Sequence, residues 1–274
     1  MTYLGGSHSY KIMPVKKYLN PESIVAKIQD GTLTDTSAKI VETAYETYAN
    51  VTLPNLRTEG LTYDQIVEQT KLSRYTVQLY LASEKPHSTT WGVAYQMASL
   101  YGQTVSKSEQ RDIMAALNNV QTTIIHFVTS PLPTSALLTR YGAPDLHMGR
   151  SSFDRARKRI NGDLEANNPI WSMRANKVLL LYVTLKYDTY FLHRDSVLRK
   201  ALEAVGNDWK KRKELIVRLL NNPYFASYES LAEEIDVYPA VLYKWKRMTD
   251  EEWQTYNLRA DILINIWDYL YPID

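Results

Sequence analysis

The chain of 274 residues has no cysteine. That absence removes disulfides, thiolate zinc sites and thiol nucleophiles together, and it fits a cytoplasmic protein. Long apolar runs are missing as well. The longest, Val178 to Leu185, is bounded by Lys177 and Lys186 and is too short to cross a bilayer. The opening MTYLGGSHSYKIMPVKK lacks the apolar centre of a signal peptide, so no membrane partner is expected. Nucleotide loops of the form G-x-x-x-x-G-K-[ST] or G-x-G-x-x-G do not occur. The histidines, His8, His87, His126, His147 and His193, stand in no metal-binding spacing, and His193 precedes Arg194 and Arg199 at the wrong interval for a tyrosine recombinase. Neither an enzyme nor a cofactor is expected.

What remains is an ordinary globular composition, 45% hydrophobic and 23% charged, so the chain folds. Its net charge of +2 is unevenly spread. Arg199 to Arg218 holds seven basic and three acidic residues, whereas Glu229 to Asp274 holds four basic and ten acidic. A basic centre beside an acidic tail suits a polyanion-binding face with a separate end that does not bind, or simply solvated helix faces.

Apolar residues recur at helical steps over most of the length. A short helix is expected from Pro21 to Gln29, and a longer one on Ile40, Val41, Ala44, Tyr45 and Tyr48 that ends before Pro54. Others are expected at Thr90 to Gly102, Ser108 to Val128, Pro169 to Leu185, Asp208 to Leu220 and Leu258 to Leu270, where Ile262, Ile266 and Leu270 share a face. Strand patterns are few, and the expected class is all-α.

Thr62 to Ala82, TYDQIVEQTKLSRYTVQLYLA, has the spacing of a helix-turn-helix. Thr62 and Gln65 make a capping box, Ser73 caps a second helix, and Ile66, Val67, Leu72, Val77 and Tyr80 share a small core. Arg74, Tyr75, Gln78 and Leu79 are left outward. The frame returns at Ser227 to Lys246, with Leu231, Ala232, Val237, Leu242 and Trp245 in the same slots. A divergent copy is expected in Thr134 to Ile160. There Leu137, Leu138, Tyr141, Gly142 and Ala143 fit the first half, and Ser151 caps a helix on Phe153, Ala156 and Ile160 after the insertion PDLHMGR. The expected organisation is tandem helix-turn-helix units flanked by amphipathic helices: an arm (1–35), a first unit (36–105), a divergent basic unit (106–190) and an acidic unit (191–274).

From Leu61 to Ser106 the chain resembles the DNA-binding domain of the phage repressor Cro/CI class, also called the XRE type. The likeness covers both motif helices, the connection containing Pro86 and the helix ending Leu100-Tyr101-Gly102, about a sixth of the chain. It implies a five-helix domain whose second motif helix enters the DNA major groove. The class commonly has Gln at the first motif position and Gly at the turn. Here Tyr63 and Tyr228 take the former, Lys71 and Asp236 the latter.

Ser73, Arg74, Tyr75 and Gln78 are the expected base readers, since Arg suits guanine and Gln suits adenine. Thr62, Tyr63 and Lys85 are expected at phosphates, as are Arg150, Ser151, Arg155, Lys158 and Arg159 on the basic helix. Tyr243, Lys244 and Arg247 form a possible second head, although the surrounding acids favour dimerisation or a protein partner. Tyr182, Tyr187 and Tyr190 near Lys186 and Arg194 could stack single-stranded bases, or pack between helices. The expected function is a dimeric, sequence-specific double-stranded DNA-binding regulator of a mobile element. The alternatives are a plasmid or phage replication, partition or transfer protein, and a helical interaction module that binds no DNA.

Overall fold

The computed structural model describes residues 21–82, 89–141, 149–160 and 164–272. Among these the chain is all-α, with two isolated bridges and no strand. Its helices are α1 (Pro21–Gln29), α2 (Thr36–Thr47), α3 (Leu53–Thr58), α4 (Tyr63–Thr70), α5 (Arg74–Ala82), α6 (Trp91–Gly102), α7 (Lys107–Val128) and α8 (Thr134–Tyr141). They continue as α9 (Arg150–Lys158), α10 (Ala175–Tyr187), α11 (Thr189–Val205), α12 (Trp209–Leu220), α13 (Tyr228–Glu234), α14 (Pro239–Arg247), α15 (Asp250–Thr255) and α16 (Ala260–Leu270). No described helix is long and apolar enough to cross a membrane.

The expected stop before Pro54 does not occur. Proline has no N–H for the carbonyl four residues back. The chain widens into a π-helical turn, Tyr48–Thr52, in which Leu53 N–H donates to Tyr48 O, and the helix passes Pro54 into α3. The single helix expected from Pro169 to Leu185 is, conversely, broken. Residues Pro169–Ser172 form a 3₁₀ turn, and the extended residues that follow are bound elsewhere: Trp91 N–H donates to Met173 O (2.7 Å) and Ala175 N–H to Thr89 O (2.8 Å). These bonds fix the starts of α6 and α10 side by side. On α16 the fully buried residues are Leu263, Ile264 and Ile266, while Ile262 and Leu270 are half-buried, so the inward face is turned from the expected one.

The middle of α10 is strongly apolar, with Val178, Leu179, Leu181, Tyr182, Val183 and Leu185 buried, and its polar residues Asn176, Lys177 and Lys186 lie towards the ends. Such a stretch is stable only when covered, and α1, α2, α6, α7 and α11 cover it. Residues 21–29 of the expected arm are therefore part of the core, through Ile24. The packing is continuous across both expected boundaries. α6 and α7 lie against each other and against α2 across 105/106, and α11 runs through 190/191.

Three buried carboxylates hold this arrangement. Asp188, wholly buried, takes Arg140 Nε and Nη2 at 2.6 and 2.7 Å, the Tyr141 hydroxyl at 2.5 Å, and the Phe191 N–H at 3.1 Å. It thereby ties α8 to the start of α11. Asp195 meets His126 (2.7 Å) and Arg199 (2.8 Å), and Asp35 meets Lys186 (2.6 Å). Burial pushes the Asp195 and Asp35 carboxyls up, but hydrogen bonds, from His126 and Arg199 in one case and Lys186 in the other, outweigh it and hold both below their ordinary value.

Arg140→Met would leave Asp188 buried without its counter-charge, at a cost of about 3–5 kcal/mol read from the urea midpoint; a loss below about 1 kcal/mol would contradict the clamp. The lowered carboxyls stabilise the fold above their unfolded pKa of about 3.9, and that contribution is lost as pH falls through the folded values. Asp195→Asn should accordingly flatten the loss of stability on acidification below about pH 5. An acid limb equally steep in Asp195→Asn, Asp35→Asn and the parent chain would refute this assignment.

Candidate nucleic-acid interface

α4 starts where the sequence says it should. Thr62 Oγ1 accepts the Gln65 N–H (3.3 Å) and Gln65 Oε1 accepts the Thr62 N–H (2.8 Å), closing the capping box. The same hydroxyl also donates to Gln65 Oε1 at 3.0 Å, so Thr62 is engaged by the cap before any phosphate arrives. Ile66 and Thr70 are buried on the inner side of α4, and the Thr70 hydroxyl donates to Ile66 O (2.7 Å) while accepting the Leu72 N–H (3.2 Å).

The turn to α5 passes through Lys71 at φ 58°, a left-handed conformation that costs a side-chain-bearing residue about 1–3 kcal/mol. Thr70 before the turn and Leu72 and Val77 after it, all buried, anchor its two sides. Gln96 of α6 secures it from outside, its amide donating to Thr70 O at 2.8 Å. α5 is then capped by Ser73, whose Oγ accepts the Thr76 N–H at 3.0 Å.

α5 rests on α3 and α4 and turns Arg74, Tyr75 and Gln78 to solvent. Tyr75 is 72% exposed. Arg74 Nη1 binds Asp64 of α4 at 2.6 Å, with 59% and 74% of the two side chains exposed. A pair so open to water is worth less than about 1 kcal/mol and opens readily. Tyr63 lies under Arg57, whose guanidinium is 5.0 Å from the ring centre. Arg57 is exposed, sits beside the start of α4 and went unread in the sequence. Its cue was there: a cation six positions before the motif's first aromatic, on a helix expected to have ended. Lys85 lies outside the described residues.

The pair α13–α14 follows the same frame. Ser227 and Ser230 form its capping box, Leu231, Ala232 and Ile235 are buried at the positions of Ile66, Val67 and Thr70, and Leu242 and Trp245 fill the later slots. Asp236 occupies the turn at φ 53°, and Lys71 and Asp236 are the only non-glycine residues with positive φ among those described. The outside amide is reproduced too, Asn265 of α16 donating to Ile235 O at 3.1 Å. Tyr243, Lys244 and Arg247 are exposed, with Tyr243 set edge-on to Tyr228 at 5.1 Å and Lys244 over Tyr256 at 5.3 Å.

In the divergent segment α8 buries Leu137 and Tyr141, and α9 buries Phe153 and Ala156; Gly142 and Ala143 lie outside the described residues. Ser151 is not a cap. Gly149 takes the N-cap position and makes no side-chain bond there, and Ser151 lies one residue inside the helix. Arg150, Arg155, Lys158 and Arg159 are all exposed, Arg155 reaching Ser152 Oγ (3.2 Å) and Arg159 reaching Asn167 O (2.6 Å). Arg157 leaves the cluster and turns inward, donating to Leu132 O (3.2 Å), Thr134 Oγ1 (3.0 Å) and Ser130 O. Tyr182 is buried and Tyr190 lies between the guanidiniums of Arg140 (4.4 Å) and Arg194 (5.4 Å), so this group packs helices together.

The structure does not bring the three groups of candidates onto one element. α5 sits on α3 and α4, α9 on α7 and α8, and α14 on α12 and α13, with no ion pair joining them among the described residues. Residues 57–82 balance three basic side chains (Arg57, Lys71, Arg74) against three acidic ones, so α9 carries the stronger positive charge. The basic run of α12 is partly consumed internally, Lys213 by Asp250 and Arg218 by the Tyr271 hydroxyl. No group of metal-binding side chains occurs among the described residues. No protein-family model, curated protein or solved structure matches the chain.

If the two left-handed turns set the frames, Lys71→Gly should raise stability by about 1 kcal/mol, and Lys71→Val should lower it by more, because a β-branched side chain is crowded there. Equal stabilities of these variants in chemical denaturation would contradict the role given to the turn.

Proposed function

We propose that the chain is a sequence-specific double-stranded DNA-binding regulator of a mobile element, acting as a homodimer, whose helix α5 enters the major groove. The observation that supports this reading is the exposed row Arg74, Tyr75 and Gln78 on a helix whose opposite face is fixed by Val77, Leu72 and the Lys71 turn. Arg74 and Gln78 read bases, each good pairing contributing roughly 1–3 kcal/mol of discrimination. Tyr75 contacts the groove wall, and Arg57 with Tyr63 stands at a phosphate. The exposed cations of α9 add sequence-independent affinity.

The pair α13–α14 takes a protein partner or a second copy of the chain in this reading. The observation favouring that role is its acidic setting, with Glu229, Glu233, Glu234 and Asp236 exposed or half-buried around the three candidate contacts.

Duplexes selected from random sequence should bind with steep salt dependence, and Arg74→Ala with Gln78→Ala should erase the preference while leaving nonspecific binding. Asp64→Asn frees Arg74 and removes a negative charge from the DNA side, so it should tighten binding a few-fold, a gain of up to about 1 kcal/mol. Sequence preference retained in the double variant, measured by anisotropy, would sink the assignment of α5 as reader.

A further inference from the structure

Between α8, α11 and α16 lies a cavity of about 850 Å³, with Pro21 of α1 also in its wall. That volume falls within the range of small-molecule sites, roughly 300–1,000 Å³. Pro21, Pro133, Ala136, Tyr190 and Ala260, exposed or half-buried, give it an accessible apolar wall, backed by the buried Leu132, Leu137, Phe191 and Ile264. Two guanidiniums stand against this lining, Arg140 and Arg194, both over the ring of Tyr190.

The charges of the lining are unequally satisfied. Arg140 is matched by Asp188, which takes its Nε and Nη2. Arg259 is matched by Asp261, and Asp268 of α16, outside the lining, is held through one oxygen by His193 at 2.9 Å. Glu22 is exposed to water. Arg194 alone is half-buried with no carboxylate within ion-pair distance among the described residues; it makes one long bond, 3.3 Å, to Asn265 Oδ1. A half-buried guanidinium beside an apolar wall favours an anionic partner that brings its own apolar body. One uncompensated cation matches a monoanion and not the several charges of a nucleotide.

We propose that this cavity binds a small carboxylic acid with an aliphatic or aromatic body. The carboxylate pairs with Arg194, and the body lies along the accessible wall of Pro133, Ala136, Tyr190 and Ala260. Such a ligand touches α8, α11 and α16 at once, so it stabilises their packing by mass action. The proposal does not rest on the DNA-binding reading.

The test is calorimetric titration of the full chain, without DNA, with octanoate, dodecanoate and naphthoate, each beside its neutral amide. At least one acid should bind saturably, with its amide about tenfold weaker or more. Arg194→Gln should bring the acid down to the level of the amide. Ala136→Trp, at an exposed wall position that leaves every charge in place, should abolish binding of both. The proposal is overturned if no acid binds more tightly than about 1 mM, if acid and amide bind alike, or if binding survives Ala136→Trp.

Discussion

The apolar middle of α10, Val178 to Leu185, sets the terms for the rest of the molecule. To bury that stretch the chain brings α1, α2, α6, α7 and α11 onto it, from segments on both sides in sequence. The two ends of α10 are then pinned by polar contacts that the apolar core cannot supply. At the start, the 173–175 backbone bonds to residues 89–91; at the finish, Asp188 gathers Arg140, Tyr141 and the first turn of α11. Hydrophobic burial gathers the helices, and these directional bonds choose one arrangement among them.

Against that body the pairs α4–α5 and α13–α14 are small and repetitive. Each closes with a capping box, turns on a left-handed residue with a full side chain, and has the carbonyl before that turn bound by an amide from a later helix, Gln96 or Asn265. The strain at Lys71 and Asp236 is tolerated because buried residues on either side, Thr70 and Leu72 in one pair and Ile235 and Leu242 in the other, fix the chain direction. Similar frames carry different surfaces. α5 offers Arg74, Tyr75 and Gln78, whereas α14 offers Tyr243 and cations among acids, which is why the proposed roles diverge.

Local features were legible in the sequence. The Thr62 cap, the burial of Ile66, Leu72 and Val77, and the exposure of Arg74 and Gln78 all follow from spacing within one or two turns. Features that depend on distant partners were not. Arg140 and Asp188 stand 48 residues apart, and nothing near either one announces the other. Arg157 belongs by spacing to the basic face of α9, yet the carbonyls of Ser130 and Leu132 draw it inward. The continuation through Pro54 was hidden because a proline ordinarily ends a helix, and the loss of that helix concealed Arg57. The repeats describe small local frames, and the packing of α6, α7 and α11 on α10 joins residues too distant in sequence for spacing to reveal.

In the proposed reading α5 meets base edges in the major groove. A photoreactive phenylalanine in place of Tyr75 tests it most directly, with the same replacement of Tyr243 as the comparison, on a duplex selected by the full chain. The account predicts crosslinks from position 75 to bases at a fixed place in the site and none to bases from position 243. Crosslinks from position 243 alone, or a pattern from position 75 that is the same on unselected DNA, would contradict it.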